Sequence, residues 1–224
     1  MTVDSVGGTA LGLLRQRAIL RVLLAVVMTI ATGVALLLPT PAANARVIEG
    51  TARDDRIVGT AEFDRIRALD GDDVVAARDG SDEVYGGPGD DTIRGGPGRD
   101  QWLEEKSGND TIFRGTNADW HLSDGWGDDE IRGRGQHDQI SLGPGADSAY
   151  GGRGRDHIAL NLTRRNGSDS VHGGHGNDYF EVESDGGYDL IACGPGSRDI
   201  VSYNALYGRD ELDQLTNCEI VRID

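Results

Sequence analysis

Lysine is almost missing from this chain: Lys106 is the only one in 224 residues, and aromatic residues make up 5%. With so few large apolar side chains a thick core is out of reach. What remains is disorder, or a repeat architecture that buries little per unit. Positive charge is short as well, with 22 basic against 38 acidic residues and a net charge of −16. That balance argues against nucleic acid and anionic membrane surfaces, which are bound through clustered positive charge. It favours cations as partners.

Long apolar runs are confined to one, Val22–Leu38. It follows Arg15, Arg17 and Arg21 and precedes Pro39, Pro41 and the small-residue tract Ala42-Ala43-Asn44-Ala45. This is the layout of a secretory signal peptide, expected over 1–45 and cut after Ala45. The rival reading is an uncleaved anchor, for which 17 residues are at the short end. Arg15 and Arg17 are separated by Gln16, so no adjacent pair points to the twin-arginine route. The mature chain is then expected to be extracellular, to span no membrane and to be monomeric.

Cysteine is scarce too. Cys193 and Cys218 both lie near the C-terminus. In an oxidising compartment they are expected to form a disulfide, with two free thiols as the alternative. Two Cys without nearby His offer too few ligands for zinc.

Glycine is what the chain has in plenty, 34 residues, and it is periodic. Aspartates stand at 55, 64, 73, 82, 91 and 100, nine apart, each followed two residues later by Ile57, Ile66, Val75, Val84, Ile93 and Trp102. The pattern continues less evenly through Asp110, Asp119, Asp129, Asp138, Asp147, Asp156, Asp169, Asp178, Asp189, Asp199 and Asp210. The slips read as insertions in loops, the largest near Leu160 to Asn166. The fullest copies are GGPGDDTIR at 86–94, GGPGRDQWL at 95–103, GGRGRDHIA at 151–159 and GGHGNDYFE at 173–181. They follow G-G-x-G-x-D-x-U-x, with U a large apolar residue. The stretch from about 47 to 213 resembles the haemolysin-type, or repeats-in-toxin, calcium-binding repeat.

The unit has a physical logic. Its glycines allow a tight turn with carbonyls directed inward, and the sixth-position Asp adds carboxylate oxygens. Calcium is a hard cation that takes six to eight oxygens, more than one turn can supply, so a second stacked turn is needed. The x-U-x segment is a short strand that sends U to one side. Nine residues therefore give one strand and one turn, and two units complete a coil. The resemblance implies an all-β fold, a right-handed parallel β-roll with two short strands per coil. It implies several calcium ions held between turns of units n and n+2.

Expected ligands are Asp73, Asp82, Gly86, Gly87, Gly89, Asp91, Gly95, Gly96, Gly98, Asp100, Asp138, Asp147, Gly151, Gly152, Gly154, Asp156, Asp169, Gly173, Gly174, Gly176 and Asp178. The best pairs are Asp73 with Asp91, Asp82 with Asp100 and Asp156 with Asp178. Asp138 with Asp156 and Asp147 with Asp169 are weaker. The early copies GTARDDRIV and GTAEFDRIR lack the fourth-position glycine.

The U residues, Trp102 and Leu212 among them, are expected to fill a thin interior. One apolar side chain per nine residues offsets only part of the cost of ordering nine backbones, so metal binding and folding are expected to be coupled. At Asp119, where Trp120 and His121 follow, the apolar slot is lost and a break is expected over 114–124. Residues 193–224 are read as a capping segment on the roll of 46–213, stapled by the disulfide.

Catalysis has little support. Ser141, Ser170 or Ser202 could be placed in a triad on paper, but no G-x-S-x-G turn accompanies them. His172 and His175 offer a two-histidine zinc pair in a turn whose variable positions need no such role. The reading is an extracellular calcium-binding protein without catalysis of its own. Its alternatives are a polysaccharide lyase or epimerase, whose residues would lie in the 114–124 break, and a calcium-rigidified adhesive protein with cell-surface or matrix partners. Trp102, Trp120 and Trp126 serve either packing or sugar stacking.

Overall fold

The computed structural model describes residues 46–224, except 105, 116, 118–119, 161–166, 184–186, 205–208 and 210. The expected signal segment 1–45 lies outside the described residues, as do Asp119, Asp210 and the 161–166 insertion.

Among the described residues the regular structure is all strand. In chain order the strands are β1 Arg46–Glu49, β2 Arg56–Val58, β3 Asp64–Arg67, β4 Val74–Ala76, β5 Glu83–Tyr85, β6 Thr92–Arg94, β7 Gln101–Glu104, β8 Thr111–Phe113, β9 Trp120–Ser123 and β10 Glu130–Gly135. They continue as β11 Gln139–Leu142, β12 Ser148–Gly154, β13 His157–Leu160, β14 Ser170–Gly176, β15 Tyr179–Val182, β16 Leu190–Ala192, β17 Ile200–Tyr203, β18 Gln214–Thr216 and β19 Ile220–Ile223. Odd-numbered strands form one sheet and even-numbered strands the other, each in sequence order and parallel throughout. Consecutive strands therefore alternate between sheets, and two nonapeptides make one coil. This is the β-roll that the eighteen-residue coil requires.

Strand alternation sets the interior. Ile66, Val84, Leu122, Ile140, Ile158, Phe180 and Val201 from the odd sheet face Ile57, Val75, Ile93, Ile112, Ile131, Ala149, Val171 and Ile191 from the even sheet, all buried. The first position of many of the described turns also points inward, so Ala68, Ala77, Leu142, Leu160, Val182, Cys193 and Tyr203 complete the core.

Three expectations about the interior are corrected. Trp102 is not the aligned residue of β7: Leu103 stands opposite Val84 and Leu122, with a one-residue register shift after Glu83. No slot is lost near His121, because Leu122 fills it with no exposed surface. Both strands carry the same extra residue after the turn, so they stay in register with each other and β9 joins β11 without interruption. At the end of the roll Leu212 is 55% exposed, and Leu215 of β18 packs on the core in its place.

On the outer face of the even sheet Arg94, Phe113, Arg132, Tyr150 and His172 stand in one cross-strand column. Arg94 and Arg132 lie 5.2 and 5.8 Å from the Phe113 ring centre, Arg132 lies 5.4 Å from that of Tyr150, and Tyr150 stacks on His172. Strands β17, β18 and β19 carry both sheets into the C-terminal segment. There Cys193 and Cys218 form a disulfide with Cα atoms 5.2 Å apart.

Candidate metal centre

Each edge of the roll is a stack of turns, and the described sixth-position aspartates form a ladder along it. On the first edge the backbone N–H of Asp73 donates to Asp91 Oδ1 (2.7 Å), Asp91 to Asp110 (2.7 Å), Asp110 to Asp129 (2.6 Å), Asp129 to Asp147 (2.9 Å) and Asp147 to Asp169 (2.9 Å). On the second edge Asp82 donates to Asp100 (3.0 Å), Asp138 to Asp156, Asp156 to Asp178 (both 2.9 Å) and Asp178 to Asp199 (2.8 Å). All five aspartate pairs expected from the n, n+2 rule are thus in direct contact.

The second carboxylate oxygen is different. Oδ2 of Asp73, Asp82, Asp110, Asp129, Asp147, Asp156, Asp178 and Asp199 is buried and accepts no hydrogen bond. Burial, opposed in part by the backbone hydrogen bond, raises these acids above the usual range: Asp147 to about 8, Asp110 and Asp156 to about 7, Asp82, Asp129 and Asp178 to about 6. A buried carboxylate oxygen without a partner is costly. Its natural complement is a proton or a cation.

The glycines make the stacking possible. Gly87, Gly89, Gly96, Gly98, Gly152, Gly154, Gly174 and Gly176 all have positive φ. At Gly98 and Gly176 a Cβ would overlap the carbonyl oxygen of Gly80 and Gly154 in the preceding coil, so a side chain would force the turns apart. Gly86, Gly95, Gly151 and Gly173 occupy the buried first position. The donor set is carboxylate and carbonyl oxygen, which suits a hard cation such as calcium. Oxygens without partners, closely stacked turns and repeated negative charge together fit that ion.

The terminal rungs are closed by the protein itself. Asp55 Oδ2 accepts from the N–H (2.6 Å) and hydroxyl (2.9 Å) of Thr51, and Asp64 Oδ2 from those of Thr60 (2.5 and 3.0 Å). At the far end the Tyr203 hydroxyl donates to Asp213 Oδ2 (3.0 Å). These copies satisfy with a hydroxyl what the middle copies leave open. Asp213, not Asp210, accepts from Asp189 N–H (3.3 Å) as the last rung of the first edge.

Three features were missed by sequence reasoning. An outer ladder runs beside the inner one: Asp54, Asp72, Asp90, Asn109 and Asp128 each accept from the backbone N–H of the fifth-position residue one coil on. The D-D doublets at 54–55, 72–73, 90–91 and 128–129 were its signal. Arg114 and Asp124 both replace the first-position residue and are fully buried. Arg114 forms an ion pair with Asp138 (3.1 Å) on the second edge. Asp124 lies with Asp129 and Asp147 on the first, their carboxylate oxygens within 4.8 Å of one another.

Of the 114–124 stretch, where catalytic residues were sought, the described residues include Arg114 and Leu122, both buried, and β9, which pairs with β7 and β11. Trp126 is 61% exposed on a turn. His172 is engaged with Tyr150 in the outer column.

Comparison with known proteins follows the same geometry. The sequence matches the family described as the RTX calcium-binding nonapeptide repeat in four copies, over residues 49–84, 70–101, 123–158 and 165–190, which together cover about half of the chain. The unmatched stretch between the second and third copies contains the register shift and Arg114. No curated protein matches the chain.

Proposed function

Because this chain belongs to the RTX calcium-binding nonapeptide repeat family, we propose that it is a secreted protein that takes up several calcium ions between stacked turns and completes its folding as it does so. The row of buried Oδ2 atoms without partners supports this most directly. Asp73, Asp91, Asp82, Asp100, Asp138, Asp156, Asp178, Asp147 and Asp169 would hold the ions, with carbonyls of the glycine turns that accompany them. When bound, calcium supplies positive charge that neutralises carboxylates stacked one coil apart. The aspartates do the rest: each Oδ1 fixes the neighbouring coil through its backbone N–H, which leaves Oδ2 turned toward the turn. Extracellular calcium-binding modules work at about 10⁻⁴–10⁻³ M, the range proposed for these ions. The protein would act by binding and shape, without catalysis.

The test uses the full-length chain expressed for export. Recovery from the medium with an N-terminus at Arg46 is expected. Far-ultraviolet circular dichroism should show partial order in chelator and a β spectrum on adding millimolar calcium, with several ions counted by calorimetry. A spectrum that is fully formed in chelator and indifferent to calcium would overturn the reading.

A second reading, a calcium-rigidified adhesive or matrix protein, is favoured by the Arg94–Phe113–Arg132–Tyr150–His172 column on the outer even sheet. Calcium-dependent retention on cell-wall material, lost in Phe113→Ala, would support it. Turnover of uronate polymers by the purified protein would instead favour an enzyme.

A further inference from the structure

Position one of the turn is taken by small or apolar residues along most of the first edge, as at Ala68, Gly86, Leu142 and Leu160. In the turn 124–129 it is Asp124, whose side chain is directed into the roll with no exposed surface. Leucine would serve the core there, as it does one and two coils on. A buried acid in that place needs another reason.

Asp124 does not stand alone. Its carboxylate and those of Asp129 and Asp147, consecutive rungs of the inner ladder, have oxygens within 4.8 Å of one another. In each, one oxygen is already used: Gly143 N–H donates to Asp124 Oδ1 (2.6 Å), Asp110 N–H to Asp129 Oδ1 (2.6 Å) and Asp129 N–H to Asp147 Oδ1 (2.9 Å). In each, Oδ2 is buried without a hydrogen-bond partner. Three buried acids converge here, and each keeps one oxygen open. Among the described ion pairs none reaches them.

We propose that Asp124, Asp129 and Asp147 form a three-carboxylate site that takes the tightest-bound cation of this protein. The inference rests on the calcium reading of the ladder and goes beyond it. An ordinary rung offers two aspartates, whereas this place offers three. Three carboxylate oxygens leave three to five of the six to eight places around calcium for carbonyls and water. Affinity for calcium rises with the number of charged ligands and the rigidity of the site. The site therefore fills first and stays filled at calcium levels that empty the other rungs. It lies between β9 and β10, in the middle of the roll, so coils on both sides can order outward from it. Its extra charge also favours a trivalent lanthanide.

The neighbouring Trp126 provides a probe, because energy transfer from an excited indole sensitises terbium luminescence. Full-length native chain, Asp124→Leu and Asp124→Asn are titrated with calcium by calorimetry and with terbium by luminescence. Asp124→Leu follows the residue found at this position in Leu142 and Leu160; Asp124→Asn keeps size and an acceptor for Gly143 should leucine prevent folding. Native protein is expected to bind one ion at least tenfold more tightly than the others. Both folded variants are expected to lose that ion and keep the rest. A native chain with a single affinity class, or a variant that retains the tight ion, overturns this proposal and leaves calcium binding by the ladder intact. A native chain that binds no calcium overturns both.

Discussion

Arg114 and Asp138 form an ion pair at 3.1 Å with both side chains fully buried. Arg114 occupies the first position of its turn, where fuller copies carry glycine, and its guanidinium reaches a carboxylate of the second-edge ladder one coil on. The protein thus places a cation of its own beside one rung of an acidic stack. One turn later, on the opposite edge, Asp124 adds a negative charge at the same position of the repeat. The two substitutions make the middle of the roll electrostatically unlike its flanks.

Replacing Arg114 by glycine restores the fuller repeat but leaves Asp138 buried beside no guanidinium. Without metal the variant should be less stable by about 3–5 kcal/mol, the usual effect of removing one partner of a buried pair. Millimolar calcium should recover part of that loss, and calorimetry should count one more ion than in the native chain. Thermal melts in chelator and in calcium check both statements.

The raised acids make metal-free folding pH-dependent. Asp147 at about 8, Asp110 and Asp156 at about 7 and Asp82, Asp129 and Asp178 at about 6 are all above the ordinary 3.8. Between about pH 4 and pH 8 the folded form therefore holds more protons than the unfolded chain. Its stability is greatest near pH 4 and is lost as pH rises through 6–8. Chelex-treated protein should gain β structure on acidification from pH 8 to pH 5. In calcium the trend should weaken or reverse, because protons compete for the same oxygens, and adding calcium at pH 7 in weak buffer should release acid.

Asp156 separates the structural from the charge role of a rung. Its Oδ1 accepts from Asp138 N–H at 2.9 Å. Asp156→Asn keeps an acceptor there and removes the charge, so metal-free stability should hold or rise while calcium uptake falls. Asp156→Ala removes the acceptor as well and should cost about 1–3 kcal/mol even in chelator. Urea melts with and without calcium distinguish the two variants.

Reduction of Cys193–Cys218 opens a loop closed across a sequence separation of 25. In the chain-entropy model this costs about 3 kcal/mol. Because Cys193 lies in the buried core at the last coils, the loss should appear as early fraying of the C-terminal strands, followed by hydrogen exchange. Calcium uptake by the coils between β3 and β12 should be unchanged.

Much was legible in the sequence because nine-residue periodicity is a local property. A unit that is one strand and one turn must repeat its Asp, its apolar residue and its glycines at fixed spacing, so the coil length, the Asp73–Asp91 and Asp156–Asp178 pairs and the thin interior follow from counting. What only the tertiary structure decided lies where copies are degenerate. Leu103 in place of Trp102, Leu122 beyond His121 and Asp213 in place of Asp210 depend on how each strand aligns with one that is eighteen or more residues away. The partners of Arg114 and Asp124 depend on the same stacking. An inward-facing position is chosen by register with the coil beneath, and that register is a contact across space which local spacing does not contain.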